Sequence, residues 1–326
     1  MRAMISLYGH LLALQKLGLL DCVTYFSGIS GATWTMAHLY RDPEWSQKDL
    51  EGPISHAREH VAKSLLKEFL PEHLASYRQT LKLREEQGYT VTIADLWGLV
   101  LESKLHGQRS ANFLHGLQLH RDYCNQRDFS TWADCNLDDT PNQLTPQDPQ
   151  LCLIDAGCFM NSSCPSLFRS GRQVDLILSF NYNQSFPFKG LQQSGKYCSA
   201  QGLPFPRVEP SPEDHLQPQE CYLFSDPTCP EAPAVLHFPL VNDSFQDHSA
   251  PGVRRSPDEL KAGQVDLTGV ASPYFLYNMT YKNEDFDRLL RLSEYNIQNN
   301  QGTILQALKT VLKRRASETR PLGVKT

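Results

Sequence analysis

The sequence has no excess of either charge. Its 31 Lys and Arg stand against 36 Asp and Glu, a formal net charge of -5. Such a balance points neither to nucleic acid nor to a strongly anionic surface as a partner. No apolar run approaches the roughly 20 residues that a membrane span requires. The first twenty residues, MRAMISLYGHLLALQKLGLL, are amphipathic rather than a charged end followed by an apolar stretch, so no secretory signal peptide is read there. No cysteines form a C-x-x-C pair. The nine are odd in number and scattered, and Cys152, Cys158 and Cys164 recur every six residues, which matches no usual zinc spacing. Reduced thiols of a cytosolic protein fit better than a metal site. Without a secretory signal, the Asn-x-Ser/Thr sites at Asn161, Asn183, Asn242 and Asn278 carry little meaning. No internal repeat is visible.

What is present suffices for a sizeable core. Of 326 residues, 40% are hydrophobic and 10% aromatic, enough for one large domain or two small ones. Leu7, Leu11, Leu14 and Leu17 keep near-helical spacing, so residues 2–17 predict a helix stopped by Gly18. The run CVTYFSG predicts a short buried strand, and ATWTMAHLY a helix ending at Arg41-Asp42-Pro43. Residues 54–86 read as charged helix interrupted at Pro71, and 91–105 as one more helix. The stretch HGQRSANFLHGLQLHRDY then follows with no clear turn chemistry. In the second half, LCLIDAG, VDLILSFNY and AVLHFPLV predict strands, and residues 203–233, rich in proline, an irregular excursion. Two helices close the chain, at 283–298 and 302–315. Strands alternating with helices predict an α/β sheet covered on both faces.

Between the first such strand and its helix stands Gly28-Ile29-Ser30-Gly31-Ala32. G-x-S-x-G is the pattern of a nucleophile on a sharp strand-to-helix turn. The turn crowds its flanks, so the neighbours must be small, and it lifts the hydroxyl off the sheet. The next residue's N–H then faces the developing oxyanion. Ala32 takes the last position, where an alanine is small enough. A five-residue pattern also arises by chance as an ordinary glycine-rich turn.

A serine nucleophile needs a base. His237 lies inside an apolar strand, where a satisfied core histidine is expected, and His215 and His248 lie in polar loops. Asp155 ends a predicted buried strand and is followed by Ala156 and Gly157. That is the kind of sheet edge where α/β active sites form. A carboxylate in reach of a serine can serve as its base without an imidazole. The same Asp-x-Gly also fits a plain turn.

With LDC before it, YFSGISGATW resembles the elbow of the group IV cytosolic phospholipase A2 catalytic domain. IDAG followed by RSGRQVDLILSFNY resembles the segment carrying that family's catalytic aspartate. LPFP and the tryptophan-bearing helix after the elbow fit too, and the two motifs fall in the same order over nearly the whole chain. The resemblance implies a patatin-like α/β fold of three layers around a central mixed sheet, incomplete in this chain. It spans one catalytic domain over 1–326, with a nucleophile half (1–107) and an aspartate half (108–326). It implies a Ser–Asp dyad, with Ser30 attacking fatty-acyl esters of glycerophospholipids through an acyl-enzyme and Asp155 as base, then acid. Gly31 would supply an oxyanion N–H. Arg2 and Arg172, by position, would hold phosphate or developing charge through forked hydrogen bonds. A plain surface cation is the other reading of Arg172.

The family's oxyanion glycine run, its central cap segment and its calcium-binding C2 domain are not found in this sequence. The expectation is a shortened form with no cofactor of its own, since calcium in the family acts through the C2 domain. Its expected place is the cytosol, in peripheral contact with membrane. The alternative is a non-catalytic relative that binds lipid or a partner protein. An ordinary Ser-His-Asp esterase is a weaker third reading, because no histidine is distinctively placed.

Overall fold

A computed structural model describes residues 1–86, 91, 96, 99–100, 160–168, 172–183, 185–275 and 278–318. The chain packs as two compact units. One comprises Met1–Ile54, Asp155–Asn278 and Glu284–Thr326, the other Ser55–Ile154 and Met279–Asn283.

The first unit opens with α1 (Arg2–Lys16), which buries Met4, Ile5, Leu7, Tyr8, Leu11 and Leu14. It stops where expected: Gly18 takes a φ of 66°, and the Leu19 N–H turns back to the Leu14 carbonyl at 2.8 Å. Helix α2 (Gly31–Leu39) lies against α1, and the Thr35 hydroxyl donates to the Met4 carbonyl at 2.8 Å in a buried contact.

Strands β1 (Leu176–Asn181), β2 (Tyr222–Phe224) and β3 (Ala234–Pro239) form a mixed sheet in the order β1-β3-β2. β1 runs parallel to β3 from Leu176 opposite Ala234 to Asn181 opposite Pro239, and β2 runs antiparallel on the other side. β3 is central, so both its faces are covered, and Val235, Leu236 and Phe238 are buried as a continuous apolar run. Helix α5 (Lys189–Ala200) follows β1 and turns Leu191, Ser194 and Cys198 inward. Leu191 joins Ile177, Val235 and Cys164 in one core cluster, flanked by Phe168, Val174 and Phe205. Beyond the sheet come the short α6 (Pro212–Leu216), the β4–β5 hairpin (His248–Ala250, Val253–Arg254), α7 (Leu260–Gly263), α8 (Asn283–Asn299) and α9 (Gln301–Glu318). α9 is tied to the start of β1 by Arg315 on Asp175 at 2.7 Å and Arg314 on the same carboxylate at 3.4 Å.

The second unit holds most of α3 (Glu51–Ala62) and α4 (Pro71–Glu86), joined through a 3-10 turn at Leu65–Phe69. The Tyr281 N–H donates to the Val61 carbonyl within it, at 3.3 Å.

Three local expectations change. CVTYFSG is not a buried strand: Leu20–Cys22 form a 3-10 turn, and Val23–Ile29 carry no regular structure and are half exposed or exposed. A strand exists only where a neighbour accepts its ladder, and among the described residues none runs beside this segment. The helical break is not at Pro71 but before it. Proline has no N–H to lose at the first helical position, so Pro71 starts α4. The excursion at 203–233 contains the edge strand β2 and the helix α6, whose Ser211 forms a capping box with Asp214. The strand read at 151–157, with Asp155, and most of the helix read at 91–105 lie outside the described residues.

Candidate active site

Ser30 sits at the N-cap of α2 with φ 52° and ψ -128°. It is the one non-glycine residue with positive φ among the described residues. A side chain in that region costs roughly 1–3 kcal/mol and persists only where its surroundings enforce it. The enforcement is visible on both sides. The Ser30 carbonyl accepts from Thr33 N–H at 2.9 Å and the Ile29 carbonyl from Ala32 N–H at 3.2 Å, which locks the turn onto the helix. The Ser30 side chain makes no capping hydrogen bond, although serine is a favoured cap, and the residue is exposed. The hydroxyl is thus held off the helix rather than consumed by it.

Both glycines of the motif have a packing reason. A Cβ on Gly31 would lie 3.2 Å from Ala3 Cβ and 3.3 Å from Met4 N, so the elbow is pressed against the first turn of α1. A Cβ on Gly28 would run into the Met36 sulfur. The close approach at Gly31 sets the N-terminal ends of α1 and α2 side by side at Ser30. The first amides of a helix lack intrahelical acceptors and carry the positive end of its dipole. Arg2 stands in that same first turn and donates from Nη1 to the Tyr274 carbonyl at 3.2 Å. Tyr274 is buried and its own hydroxyl donates to the Asp285 carbonyl at 3.0 Å.

Arg172 reaches the approach to the elbow from the other segment. Its Nη1 donates to the Ser166 carbonyl at 2.7 Å, and its guanidinium carbon lies 4.9 Å from the centre of the Tyr25 ring. Ser27 Oγ donates to the Ser163 carbonyl at 2.9 Å and lies 2.5 Å from Ser166 Oγ. Sequence reasoning missed Tyr25, Ser27 and Ser166.

The histidines are occupied elsewhere. His237 is buried in β3, where Nε2 lies 2.9 Å from the Pro187 carbonyl and Nδ1 3.1 Å from Ser179 Oγ. Burial pushes its pKa down to about 4, as a satisfied core histidine requires. His248 bonds the Ser244 carbonyl through Nδ1 at 3.0 Å, and the His215 ring meets the edge of Phe188. His38, on α2 itself, pairs with the buried Tyr8 hydroxyl at 2.6 Å. It stands about 12 Å along the helix from Ser30, beyond hydrogen-bond reach. Of the sequence-predicted site, the structure therefore places Ser30, Gly31, Arg2 and Arg172, and brings Ser30 and Gly31 against the α1 turn that bears Arg2. Asp155 lies outside the described residues.

Residues 1–118 match the family model of the lysophospholipase catalytic domain. Over an alignment of 485 positions the chain is 63% identical to cytosolic phospholipase A2 delta of Mus musculus, with 100% of this chain and 59% of that protein covered. The delta protein of Homo sapiens is 48% identical, with the same shares covered. Among solved structures, human GIVD cytosolic phospholipase A2 matches with a TM-score of 0.82 at 50% identity, over 96% of this chain and 59% of that one. A complex of the same human enzyme with methyl gamma-linolenyl fluorophosphonate matches with a TM-score of 0.81 at 54% identity, over 97% of this chain and 58% of that one. The chain spans 59% of the length of these curated relatives. Because 485 aligned positions face 326 residues, the relatives also hold residues inside the matched stretch that have no counterpart here. Over its whole length the chain is similar in sequence and in fold to the group IV cytosolic phospholipases A2.

Proposed function

We propose that this chain is a serine hydrolase of fatty-acyl esters in glycerophospholipids, with Ser30 as nucleophile. The observation that carries the reading is the Ser30 backbone, held in a strained turn at the start of a helix, with the residue exposed. A relative of matching fold has been solved with a fatty-chain fluorophosphonate. Such a reagent carries an electrophilic phosphorus that an activated serine attacks, and an acyl chain that resembles a lipid's.

In this reading, Ser30 Oγ attacks the ester carbonyl as Asp155 takes its proton. The oxyanion is met by the Gly31 N–H, at the N-terminus of α2. Collapse expels the lysophospholipid oxygen, which regains the proton from Asp155, and leaves an acyl-serine. Water, activated by the same carboxylate, then releases the fatty acid. Arg2 and Arg172 supply positive charge for the substrate phosphate and the developing negative charge. These steps call for no cofactor. The substrate places the protein at a membrane periphery from the cytosol and gives nucleic acid no part.

A second reading is a lipid-binding relative with no turnover. It is favoured by the residues that the relatives carry inside the matched stretch and this chain does not. One experiment separates the two. The chain and its Ser30→Ala variant are incubated with a fluorescent fluorophosphonate, and fatty-acid release from mixed phospholipid vesicles is measured in parallel. Ser30-dependent labelling and release support the hydrolase, whereas lipid binding without either supports the binder.

A further inference from the structure

The nucleophile of an α/β hydrolase is normally carried by a strand whose ladder holds it on both sides. Here Val23–Ile29 lead into Ser30 without a described partner strand, half exposed, and yet Ser30 keeps a strained backbone. Strain of that kind relaxes unless something pins the chain on the entry side. On the exit side α2 and α1 do so. On the entry side the Ile29 carbonyl accepts from Ala32 N–H, and Tyr25 and Ser27 are held through their side chains.

We propose that Tyr25, Ser27, Ser166 and Arg172 form a clasp that positions Ser30. Tyr25 and Ser27 both meet the stretch from Ser163 to Arg172. Ser27 grips the 3-10 turn Cys164–Phe168 and the residue before it, with one bond to the Ser163 carbonyl at 2.9 Å and a close contact to Ser166 Oγ at 2.5 Å. With the Ser27 proton on that carbonyl, the single Ser166 proton goes to Ser27 Oγ, and Ser166 Oγ lies 2.9 Å from the Ser163 carbonyl. The Ser166 carbonyl takes Arg172 Nη1 at 2.7 Å, and Arg172 closes the ring by lying 4.9 Å over the Tyr25 face. The turn is in turn rooted in the core, since Cys164 is buried beside Ile177 and Val235. A route of packed and bonded contacts thus runs from the central strands to the nucleophile segment. Arg172 gains a task beyond phosphate contact. It is a positioning residue for the nucleophile, and one Nη together with one face of its guanidinium is used for that.

This inference rests on Ser30 being the nucleophile, so its test has two arms. In the first, the labelling of Ser30 by a fluorophosphonate is resolved into a maximal rate and a half-saturating concentration for the unaltered chain, Tyr25→Leu, Tyr25→Phe and Ser27→Ala. An exposed cation–π contact or a side-chain hydrogen bond corresponds to roughly a two- to tenfold effect. Tyr25→Leu and Ser27→Ala are expected to lower the maximal rate by that factor and leave the half-saturating concentration within about twofold. Tyr25→Phe, which keeps the ring face, is expected to label normally. In the second arm, amide hydrogen exchange is followed in the same four proteins. Exchange should rise in residues 23–31 for Tyr25→Leu and Ser27→Ala and stay unchanged in α8.

Unchanged rates and unchanged local exchange in both variants would overturn the clasp. So would a Tyr25→Phe variant as impaired as Tyr25→Leu, or exchange that rises evenly through the chain. If the unaltered chain does not label at Ser30, the hydrolase reading fails, and the exchange arm alone decides the clasp.

Discussion

The central strands and the nucleophile segment lie in one compact unit and are held in different ways. β3 is paired along its whole length with β1, partly with β2, and has buried apolar side chains on both faces. Val23–Ile29 are half exposed and held by a few polar and ring contacts near one end, and by a tight helix crossing at the other. Burial of apolar surface is worth roughly 25 cal/mol per Å² and is insensitive to small displacements. A hydrogen bond or a cation over a ring is worth about 1 kcal/mol and depends on geometry. Stability should therefore sit in the sheet, and chemistry in the segment that can be perturbed without unfolding the rest.

The largest expected effect tests the chemical side. Ser30→Ala should reduce fluorophosphonate labelling and fatty-acid release to background while the melting temperature stays within a few degrees. A variant that still releases fatty acid would place the nucleophile elsewhere.

Acid should break the sheet side. Burial depresses His237 to about 4 and His10 to about 3, below the ordinary histidine value of 6.5. The unfolded chain then binds a proton at each site before the folded one does, so stability is complete above about pH 6.5 and falls as pH drops. Each histidine contributes a slope of up to about 1.4 kcal/mol per pH unit, down to about pH 4 for His237 and about pH 3 for His10. Urea midpoints between pH 7 and pH 4 measure this, and a midpoint independent of pH would show that neither ring is buried neutral.

Leu236→Ala deletes a fully buried side chain from β3 and should cost about 2–5 kcal/mol in urea unfolding. Its labelling at low temperature should persist in the fraction that remains folded. Gly31→Ala should show the opposite pattern. The added methyl would press on Ala3 Cβ at 3.2 Å and on a backbone nitrogen at 3.3 Å that cannot swing aside. Displacing the elbow by a fraction of an ångström should slow labelling about tenfold or more, for roughly 1 kcal/mol of stability. The smallest effect is expected at the rim of the sheet. Asp175→Asn weakens the contacts of Arg314 and Arg315 where all three side chains are partly exposed. A loss of about 0.5–1 kcal/mol, reduced by salt, is expected from urea unfolding at two ionic strengths.

Much of this contrast was legible in the residues. The leucine spacing of α1, the glycine that stops it, the apolar runs of β1 and β3 and the two closing helices follow from periodicity and capping, which are local. Helix α5 was not legible: Lys189–Ala200 holds two glycines and several polar residues, and its buried residues are Gly190, Leu191, Ser194 and Cys198. The candidate site was legible in part. G-x-S-x-G pointed to Ser30, and the polar or core settings of His215, His237 and His248 pointed away from an imidazole base. Tyr25, Ser27 and Ser166 were not, because contacts across 136 to 147 residues leave no local pattern.

By itself, the sequence determined the elements with a period and the residue types a tight turn can hold, because both depend on neighbours a few positions away. Only the tertiary structure decided that CVTYFSG would form no strand, that Ser30 would carry a φ of 52°, and that Arg172 would lie over Tyr25. Each of these depends on which distant segment arrives beside it. A ladder, a strained turn and a cation over a ring exist only when two parts of the chain meet, and their geometry is set by the packing that brings them together.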